Sequence, residues 1–385
     1  MEKTYPMVAT TMFGLEKILE KELLQIGAKK VSVGNRCVYF YGDKLLMYKA
    51  NLQLRTALKI LKNLVSFKAK KETELYSQIS RIKWHTLFET NKTFSVSSTV
   101  NSTYFTHSNY VSLVVKDAIV DQFRKKKNQR PSIDLKNPDF NIHIHISHNQ
   151  CHISLNSSGS SLHKRGYRSK SFNAPINEVL AAGIVMLSDW GGKHDLIDPM
   201  CGSGTILIEA ALIAINRAPN IYRKSFNFQN WKNYDHNMFE KIKTSIQKEE
   251  TICKIKIQGF DISASAISIA RNHISNVRLS KIIQISGQDF FNSNGKENTL
   301  LIMNPPYGKR IQLTKDYYKQ IGDTLKKKYI NTQAWIISSE LQELKTIGLR
   351  TSKKIKLFNG PLECRLLKFE LYKGSKKLVK LNMSN

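Results

Sequence analysis

The chain has 385 residues, 41% of them hydrophobic, a length that predicts two or three domains rather than one core. Sixty Lys and Arg against thirty Asp and Glu give a net charge of +30, which favours a polyanionic partner over a merely Lys-rich solvated surface. The chain lacks both the roughly 18-residue apolar run of a membrane span and any Cys-x-x-Cys pair, which argues against membrane proteins, zinc ribbons and disulfide frameworks.

The first segment, residues 1–66, begins with an early acid and no apolar stretch, so we expect no signal peptide and a cytoplasmic, reduced protein. Residues 5–10 predict a strand, and residues 13–24 predict a helix because their apolar residues recur at helical spacing. Residues 31–41 predict strands. Residues 43–51, together with the Leu-rich stretch that follows, predict a second helix. This alternation indicates a small α+β unit.

The second segment, residues 67–164, combines strands with one long helix. Residues 110–124 place Val111, Val114, Val115, Ile119 and Phe123 on one face of that helix. Strands are predicted over residues 94–100, 141–147 and 151–156, and the middle one alternates apolar and polar residues strictly. The serine-rich residues 157–161 predict a hinge or linker.

The third segment, residues 165–385, alternates strands with helices, which indicates an α/β domain with a parallel sheet covered on both faces. The predicted helix over residues 205–214 is almost wholly apolar. The Asn359-Gly360 turn predicts an antiparallel hairpin that closes the sheet edge. The predicted strands are residues 194–198, 256–261, 282–286, 299–303 and 334–338, with 353–358 and 365–372 forming the hairpin.

A glycine-containing loop, Asp198-Pro-Met-Cys-Gly202-Ser-Gly204-Thr205, lies between a predicted strand and a predicted helix. Glycines allow a tight turn and a close approach of ligand to backbone, and the helix N-terminus favours an anionic group. The dinucleotide fingerprint requires a third glycine where this chain has Leu207, so the loop does not fit a nicotinamide cofactor. A simple tight turn is the alternative interpretation, and Cys201 in this loop is expected to be packed rather than reactive.

Two acids follow the next predicted strands, Asp261 after residues 257–260 and Asp289 after residues 282–286. A carboxylate at a strand end can accept the two hydroxyls of a ribose, and the second acid lies where an adenine amino group could be held. Nucleoside sites in open α/β sheets occur at the carboxyl ends of strands. A single acid here would more often be a helix cap, but the series after a glycine loop favours a nucleoside site.

The most specific motif is Asn304-Pro305-Pro306-Tyr307-Gly308, which directly follows an apolar strand. An exocyclic base amine is a poor nucleophile because its lone pair is delocalised, and it becomes reactive when acceptors hold its hydrogens. The Asn304 side-chain oxygen and the Pro305 carbonyl can do so, while the prolines stiffen the loop and Tyr307 offers a flat face to the base. A surface turn is the alternative interpretation of this motif.

These motifs, with the segments at 162–168 and 174–178, resemble THUMP-domain class I methyltransferases, most closely the bacterial 23S rRNA guanine-N2 group. The resemblance covers nearly the whole chain. It implies a ferredoxin-like domain over residues 1–66, a THUMP RNA-binding domain over 67–164 and a Rossmann-like methyltransferase domain over 165–385. The implied methyltransferase sheet has seven mostly parallel strands and an antiparallel terminal hairpin.

The resemblance also implies S-adenosylmethionine as cofactor, S-adenosylhomocysteine as product and no metal. It implies that Asp198, Gly202 and Gly204 line the methionine end, Asp261 the ribose and Asp289 the adenine, with Asn304, Pro305 and Tyr307 around a flipped guanine and Asn304 also beside the cofactor. The implied partner is structured RNA, 23S rRNA or a large-subunit precursor. We expect no membrane association and no obligate protein partner.

Several alternatives stay open at this point. A tRNA guanine-N2 methyltransferase, an adenine-N6 methyltransferase and a non-catalytic ribosome assembly factor are the competing functions. Residues 218–250, rich in aromatic and basic side chains, form either a substrate-contact lobe or internal packing. His143 and His145 would share a strand face, as a metal pair does, but no third ligand lies nearby in sequence, which favours a solvated sheet surface. The basic run 124–130 is either a solvated helix end or a phosphate contact, and the tail 373–380 either disordered or an RNA contact.

Overall fold

A computed structural model describes residues 4–168, 175–306 and 316–373. Contacts between Cα atoms divide the chain into two compact units, and neither is a continuous stretch of sequence. Unit 1 comprises Met1–Thr11, Leu19–Leu162 and Arg223–Ser245, and unit 2 comprises Met12–Ile18, His163–Tyr222 and Ile246–Asn385.

Unit 1 contains a seven-stranded sheet in the order β2-β3-β1-β4-β7-β6-β5. Its strands are β1 (Tyr5–Thr11), β2 (Lys29–Gly34), β3 (Cys37–Gly42), β4 (Ala57–Lys68), β5 (Phe94–Asn101), β6 (Phe140–Ser147) and β7 (Gln150–Asn156). The helices of this half of the chain are α1 (Glu16–Gln25), α2 (Lys44–Gln53), α3 (Glu72–Arg81), α4 (Trp84–Leu87) and α5 (Ser108–Lys127).

Strand β6 shows why the sheet forms where the sequence predicts it. Ile142, Ile144 and Ile146 are fully buried on one face, while His143 and His145 point to the other. Its register with β7 pairs His145 with His152, and the two rings stack at 6.3 Å. The strict alternation therefore confirms the half-buried strand.

The Leu-rich stretch after α2 is a strand, so the predicted continuation of the helix is wrong. Helix α2 ends at Gln53, and the extended backbone of the next residue, Leu54 (φ −67°, ψ 119°), breaks the helical path. Strand β4 then pairs with β1 on one side and β7 on the other. Pairing along both edges decides the conformation, because non-local hydrogen bonds override a local apolar pattern that suits either structure.

The serine-rich segment is not a flexible linker, and that prediction is also wrong. Ser157 and Ser158 are buried, and their hydroxyls bond the Ile60 carbonyl (2.8 Å) and the Asn51 side chain (2.6 Å). The guanidinium of Arg223 donates to the carbonyls of Ser158 and Ser160 at 3.0 and 2.6 Å. Because small hydroxyl side chains fit next to backbone, the serines here close a buried polar network.

Most of the 218–250 segment, Arg223–Ser245, packs within unit 1. Phe228 stacks on Tyr48 with ring centroids 4.5 Å apart, and Phe226 stacks on Phe228 at 5.2 Å. Phe226, Phe228, Trp231 and Phe239 are all less than 8% exposed. The aromatic residues of this segment are thus mainly core, while Lys224 and Lys232 remain exposed.

Unit 2 contains a second seven-stranded sheet in the order β10-β9-β8-β11-β12-β14-β13, parallel except for β14 and β13. This confirms the predicted mostly parallel sheet with an antiparallel hairpin at its edge. Its strands are β8 (Leu196–Asp198), β9 (Ile257–Asp261), β10 (Ile283–Gly287), β11 (Leu300–Met303), β12 (Thr332–Ser338), β13 (Thr351–Asn359) and β14 (Leu362–Leu371). The helices of unit 2 are α6 (Glu178–Leu187), α7 (Thr205–Ala214), α9 (Ala264–Asn276) and α10 (Tyr317–Lys328), with 3-10 helices at Phe290–Asn292 and Glu343–Ile347. The 3-10 helix Asn227–Asn230 belongs to unit 1, and α8 (His236–Lys248) begins in unit 1 and ends in unit 2.

The predicted domain limits at residues 66 and 164 stay predictions. The first limit falls inside β4, and the second lies two residues beyond the point where the chain passes from unit 1 to unit 2. Within the described ranges, every helix is too short or too polar to span a bilayer.

Candidate active site

The order of the strands in unit 2 gathers the predicted site residues at one edge of the sheet. Strand β8 lies between β9 and β11, and Asp198 at its end is in register with Gly259 of β9. Asp261 ends β9, and Asn304 directly follows β11. Because the chain turns to opposite sides of β8, a crevice opens at the carboxyl ends of these strands.

Two glycines shape the loop between β8 and α7. Gly202 and Gly204 both have positive φ angles, +52° and +77°, which side-chain-bearing residues adopt with strain. The Gly202 N–H donates to Asp261 Oδ2 at 2.9 Å and so ties the loop to the end of β9. A Cβ added at Gly202 would meet no described atom within 4 Å. Gly202 therefore leaves open space beside the loop, and the predicted role of the loop in ligand binding stays a prediction.

Asp198 is 1% exposed and accepts a hydrogen bond from the Met200 N–H at 3.2 Å. Burial raises the pKa of Asp198 to about 8. The hydrogen bond from Met200 lowers this pKa, and the negative charge of Asp261 raises it further. A buried carboxyl of this kind favours a cationic ligand group beside it, because a positive charge offsets the cost of ionisation. Burial likewise raises the pKa of the Cys201 thiol, and an added Cβ at Gly259 would lie 3.1 Å from Cys201 Cβ, so this cysteine is packed.

The two later acids differ in what they already bond. Asp261 accepts from the Gly202 N–H and, through Oδ1, from the Ser263 N–H at 2.9 Å. Asp289 caps the 3-10 helix Phe290–Asn292, accepting from the Phe291 N–H at 2.9 Å and the Asn292 amide at 3.0 Å. Each carboxylate oxygen keeps further lone pairs for a ligand. The predicted ribose and adenine roles stay predictions, and the cap by itself accounts for a polar acceptor at residue 289.

Asn304 has an unsatisfied polar atom at the site. Its side chain is half-buried, and among the described residues nothing donates a hydrogen bond to its buried Oδ1. Such a group costs about 1–3 kcal/mol unless a ligand or solvent bonds it. Pro305 is buried beside it, whereas Tyr307, the third predicted catalytic residue, lies outside the described residues.

Tyr317, at the start of α10, lies near Asp289 and Asp261, although no motif in the sequence indicates it. Its hydroxyl donates to Met200 Sδ at 3.5 Å, and its ring packs edge-on against Phe291 at 5.5 Å. Burial, together with the nearby charges of Asp289 and Asp261, raises the pKa of Tyr317 to about 12. The hydroxyl therefore stays protonated and faces the acids of the crevice.

Arg168 fastens the glycine loop from the preceding segment. Its guanidinium donates to Thr205 Oγ1 at 2.9 Å and to the Ile176 carbonyl at 2.8 Å, and it pairs with Glu178 at 3.0 Å. Burial raises the pKa of Glu178 to about 7. This contact explains why the segments at 162–168 and 174–178 accompany the glycine loop.

The crevice has donors and acceptors suited to a nucleoside with a cationic end. The carboxyls of Asp198 and Asp261 lie close enough to interact, Tyr317 lies near Asp261 and Asp289, and Gly202 leaves room for a ligand. In the described part of the chain, no group of three or more His, Cys, Asp or Glu side chains could hold a metal ion.

Comparison with protein families gives three matches along the chain. Residues 165–368 match the RMKL-like methyltransferase domain, residues 69–156 the THUMP domain and residues 6–61 the RlmL ferredoxin-like domain. The order of the three agrees with the order expected from the sequence.

Two relatives show how far the likeness extends. A candidate RNA methyltransferase of Synechocystis sp., slr0064, is 37% identical over 374 residues, covering 96% of this chain and 97% of the relative. The ribosomal RNA large subunit methyltransferase K/L of Shewanella frigidimarina is 35% identical over 372 residues, which is 94% of this chain. The match spans only 52% of that relative, so the chain corresponds to about half of the K/L protein.

Solved structures of similar fold also include methyltransferases. SMU.472, described as a candidate methyltransferase complexed with SAH, superposes with a TM-score of 0.85 at 29% identity, covering 97% of this chain and 100% of that one. A predicted N6-adenine-specific DNA methylase from Listeria monocytogenes gives a TM-score of 0.85 at 27% identity, with 96% and 97% coverage. The site at the ends of β8, β9 and β11 and the order of the domains agree with these matches. The chain therefore belongs to the RMKL-like methyltransferase family.

Proposed function

We propose that this protein transfers a methyl group from S-adenosylmethionine to the exocyclic N2 amine of guanine in a structured RNA, 23S rRNA or a large-subunit precursor. The buried Asn304 Oδ1, to which none of the described residues donates a hydrogen bond, is the observation that carries the proposal. An acceptor held without a donor beside a nucleoside-type crevice is arranged for the hydrogens of an amine.

The residues of the crevice fit the cofactor. Asp198 would face its cationic methionine end, Gly202 and Gly204 would let it approach the backbone, and Asp261 would accept the ribose hydroxyls. Asp289 and Tyr317 would flank its adenine. S-adenosylmethionine, when bound, supplies an electrophilic methyl group on a sulfonium centre. The solved neighbour with SAH supports this cofactor.

Asn304 and Pro305 act on the target amine. Their oxygens accept hydrogen bonds from its two N–H groups. These bonds direct the nitrogen lone pair towards the methyl group and favour a tetrahedral nitrogen. Preorganised acceptors of this kind lower the barrier because they need no rearrangement during the reaction. The methylated amine is transiently cationic and releases its proton afterwards, so no strong base is needed at the site. Tyr307 would stack on the flipped base.

Three observations favour RNA as the substrate. The net charge of +30 suits a polyanion, a THUMP domain precedes the methyltransferase domain, and the Shewanella relative is named for ribosomal RNA. The basic end of α5, with Arg124 to Lys127 in its last turn, is a phosphate contact in this proposal. A-form grooves hide base edges, so this half would recognise shape and backbone.

The test is methyl transfer from labelled S-adenosylmethionine to total RNA from a strain lacking the gene, followed by nucleoside digestion and mass spectrometry. We expect N2-methylguanosine derived from 23S rRNA. Label in tRNA would keep the chemistry and replace the target. Cofactor binding without transfer to any nucleic acid would point to an assembly factor and contradict the proposal.

Adenine N6 is the second candidate, because the same Asn-Pro-Pro arrangement can hold either exocyclic amine. The Listeria neighbour, described as an N6-adenine-specific DNA methylase, favours it specifically. N6-methyladenosine in the digest, or transfer to DNA in a parallel reaction, would decide for this candidate.

A further inference from the structure

Unit 1 has a cleft where two strands of its sheet part. Strand β4 pairs with β1 only up to Lys62, opposite Met7, and then continues to Lys68 beside β7. An irregularity between Asn63 and Val65 bends it away. Residues 63–66 are therefore paired with a described strand on one side only. The gap is a cavity of about 650 Å³, within the range of ligand sites. We call it the β1–β4 cleft; its lining includes Tyr5, Lys44, Lys62, Asn63, Ser66 and Asn233.

The cleft is cationic. The Lys62 ammonium lies 4.1 Å from the centre of the Tyr5 ring and 5.7 Å from that of Trp231, so two aromatic faces hold it in place. Lys44 extends from the first turn of α2 into the same cleft. None of the described lining residues is an Asp or Glu. The resulting positive potential favours an anion such as a phosphodiester.

Asn63 adds an unsatisfied polar atom to this cleft. Its Oδ1 is buried and accepts no hydrogen bond from the described residues, while its Nδ2 donates to Ser66 Oγ at 3.0 Å. The Ser66 hydroxyl in turn bonds His152 Nδ1 at 2.8 Å, which fixes the position of the pair. A buried amide oxygen in this state favours a ligand that brings an N–H or O–H group. Nucleobases and ribose carry such groups.

We propose that the β1–β4 cleft binds one nucleotide of a single-stranded stretch of the RNA, with its phosphodiester on Lys44 and Lys62 and its base or ribose on Asn63. This inference rests on the proposed RNA substrate and adds a contact on unit 1, separate from the crevice of methyl transfer. The free edge of β4 could also pair with an extended peptide. The two lysines in the lining, in a chain of charge +30, favour RNA.

The test uses the full chain and a short fluorescein-labelled single-stranded RNA of mixed sequence. Lys44→Gln and Lys62→Gln should each bind it several-fold more weakly and reduce the slope of log K against log salt by about one. Asn63→Ala should weaken binding without changing the slope, since it removes no charge. Lys21→Gln, an exposed lysine of unit 1 outside the cleft, is the matched control. Because Lys62 packs on two rings, Lys44→Gln keeps the test decisive if Lys62→Gln unfolds.

The proposal would be overturned if Lys44→Gln and Lys62→Gln both showed the same RNA affinity and the same salt slope as Lys21→Gln. Displacement of the RNA by millimolar AMP or inorganic phosphate would show a free-nucleotide or phosphate site and would overturn the RNA assignment. Ultraviolet crosslinking should place RNA on peptides containing Tyr5 or residues 62–66. Failure of the proposed function is a separate result, namely intact Lys44-dependent RNA binding with no methyl transfer by the unmodified protein.

Discussion

Asn304 presents, at the end of β11, a buried amide oxygen to which no residue in the described ranges donates a hydrogen bond. Replacing it with alanine should lower methyl transfer by about 10²–10³-fold, the usual cost of losing one preorganised hydrogen-bonding group at a reacting centre. The dissociation constant for S-adenosylmethionine should change little, because Asp198, Gly202 and Asp261 remain. Single-turnover kinetics and calorimetry measure the two quantities.

Asn304→Asp serves as the matched variant, since it keeps an acceptor oxygen in the same place. It should retain more activity than Asn304→Ala. Equal turnover in the alanine variant and the unmodified enzyme would remove Asn304 from the mechanism.

Asp198 predicts a pH dependence of stability. Burial raises its pKa from an ordinary value of 3.8 to about 8. Between these values the folded protein holds a proton that the unfolded chain has lost, so stability falls as pH rises through this window, by up to about 1.4 kcal/mol per pH unit. Asp198→Asn should remove this loss and, without cofactor, melt at a higher temperature than the unmodified protein at pH 8.

Thermal denaturation of both proteins between pH 5 and pH 8 measures the effect. Glu178 also titrates near neutral pH, but it is present in both and cancels in the comparison. Melting temperatures that shift in parallel with pH would show that Asp198 is already ionised in the folded protein.

Most of the candidate crevice could be predicted from the sequence because strand ends are visible as short apolar runs. Asp198, Asp261 and Asn304 each follow such a run, and parallel pairing brings them together. Tyr317 could not be found this way. Its contact with Met200 joins residues 117 apart and depends on how α10 packs, which no local pattern specifies.

At the scale of elements, the segment after Tyr222 stabilises unit 1 through its aromatic residues. Phe228 is 1% exposed and contacts Tyr48 and Phe226. Phe228→Ala should cost about 3–5 kcal/mol of unfolding free energy, because the cavity left behind cannot collapse fully. Denaturant unfolding followed by fluorescence measures the loss.

Lys224→Ala is the control, since this lysine is exposed in the same segment and its loss should change stability by no more than about 0.5 kcal/mol. If Phe228→Ala instead weakened RNA binding with unchanged stability, the segment would be a substrate-contact lobe after all.

Regular elements with one clear period were predicted well, and those decided by distant partners were not. The alternation of β6 and the apolar α7 needed no knowledge of their neighbours. Strand β4 has an apolar pattern that also suits a helix, and only its pairing with β1 and β7 decides. The serine-rich composition of residues 157–161 is typical of a linker. Their burial could not be predicted, because the partners Asn51 and Arg223 are distant in sequence.

At the scale of the whole molecule, each unit contains a segment from the opposite half of the chain: Met12–Ile18 lies in unit 2, and Arg223–Ser245 lies in unit 1. Residues 12–18 belong to unit 2 although the sequence assigns them to the first domain. Leu15 is fully buried, and a Cβ added to Gly183 of α6 would lie 2.5 Å from Leu15 Cδ2. This close fit shows why Gly183 lacks a side chain and why a fragment that begins at residue 165 would miss part of its core.

Leu15→Ala should therefore destabilise unit 2, by about 2–5 kcal/mol. Hydrogen exchange measured by mass spectrometry should show faster exchange in α6, with β2 and β3 of unit 1 unchanged. Leu23→Ala, an equally buried leucine of α1 that belongs to unit 1, should give the opposite pattern. Faster exchange confined to unit 1 in the Leu15 variant would mean that residues 12–18 fold with the N-terminal half, and that the continuous domain limits predicted from the sequence are the physical ones.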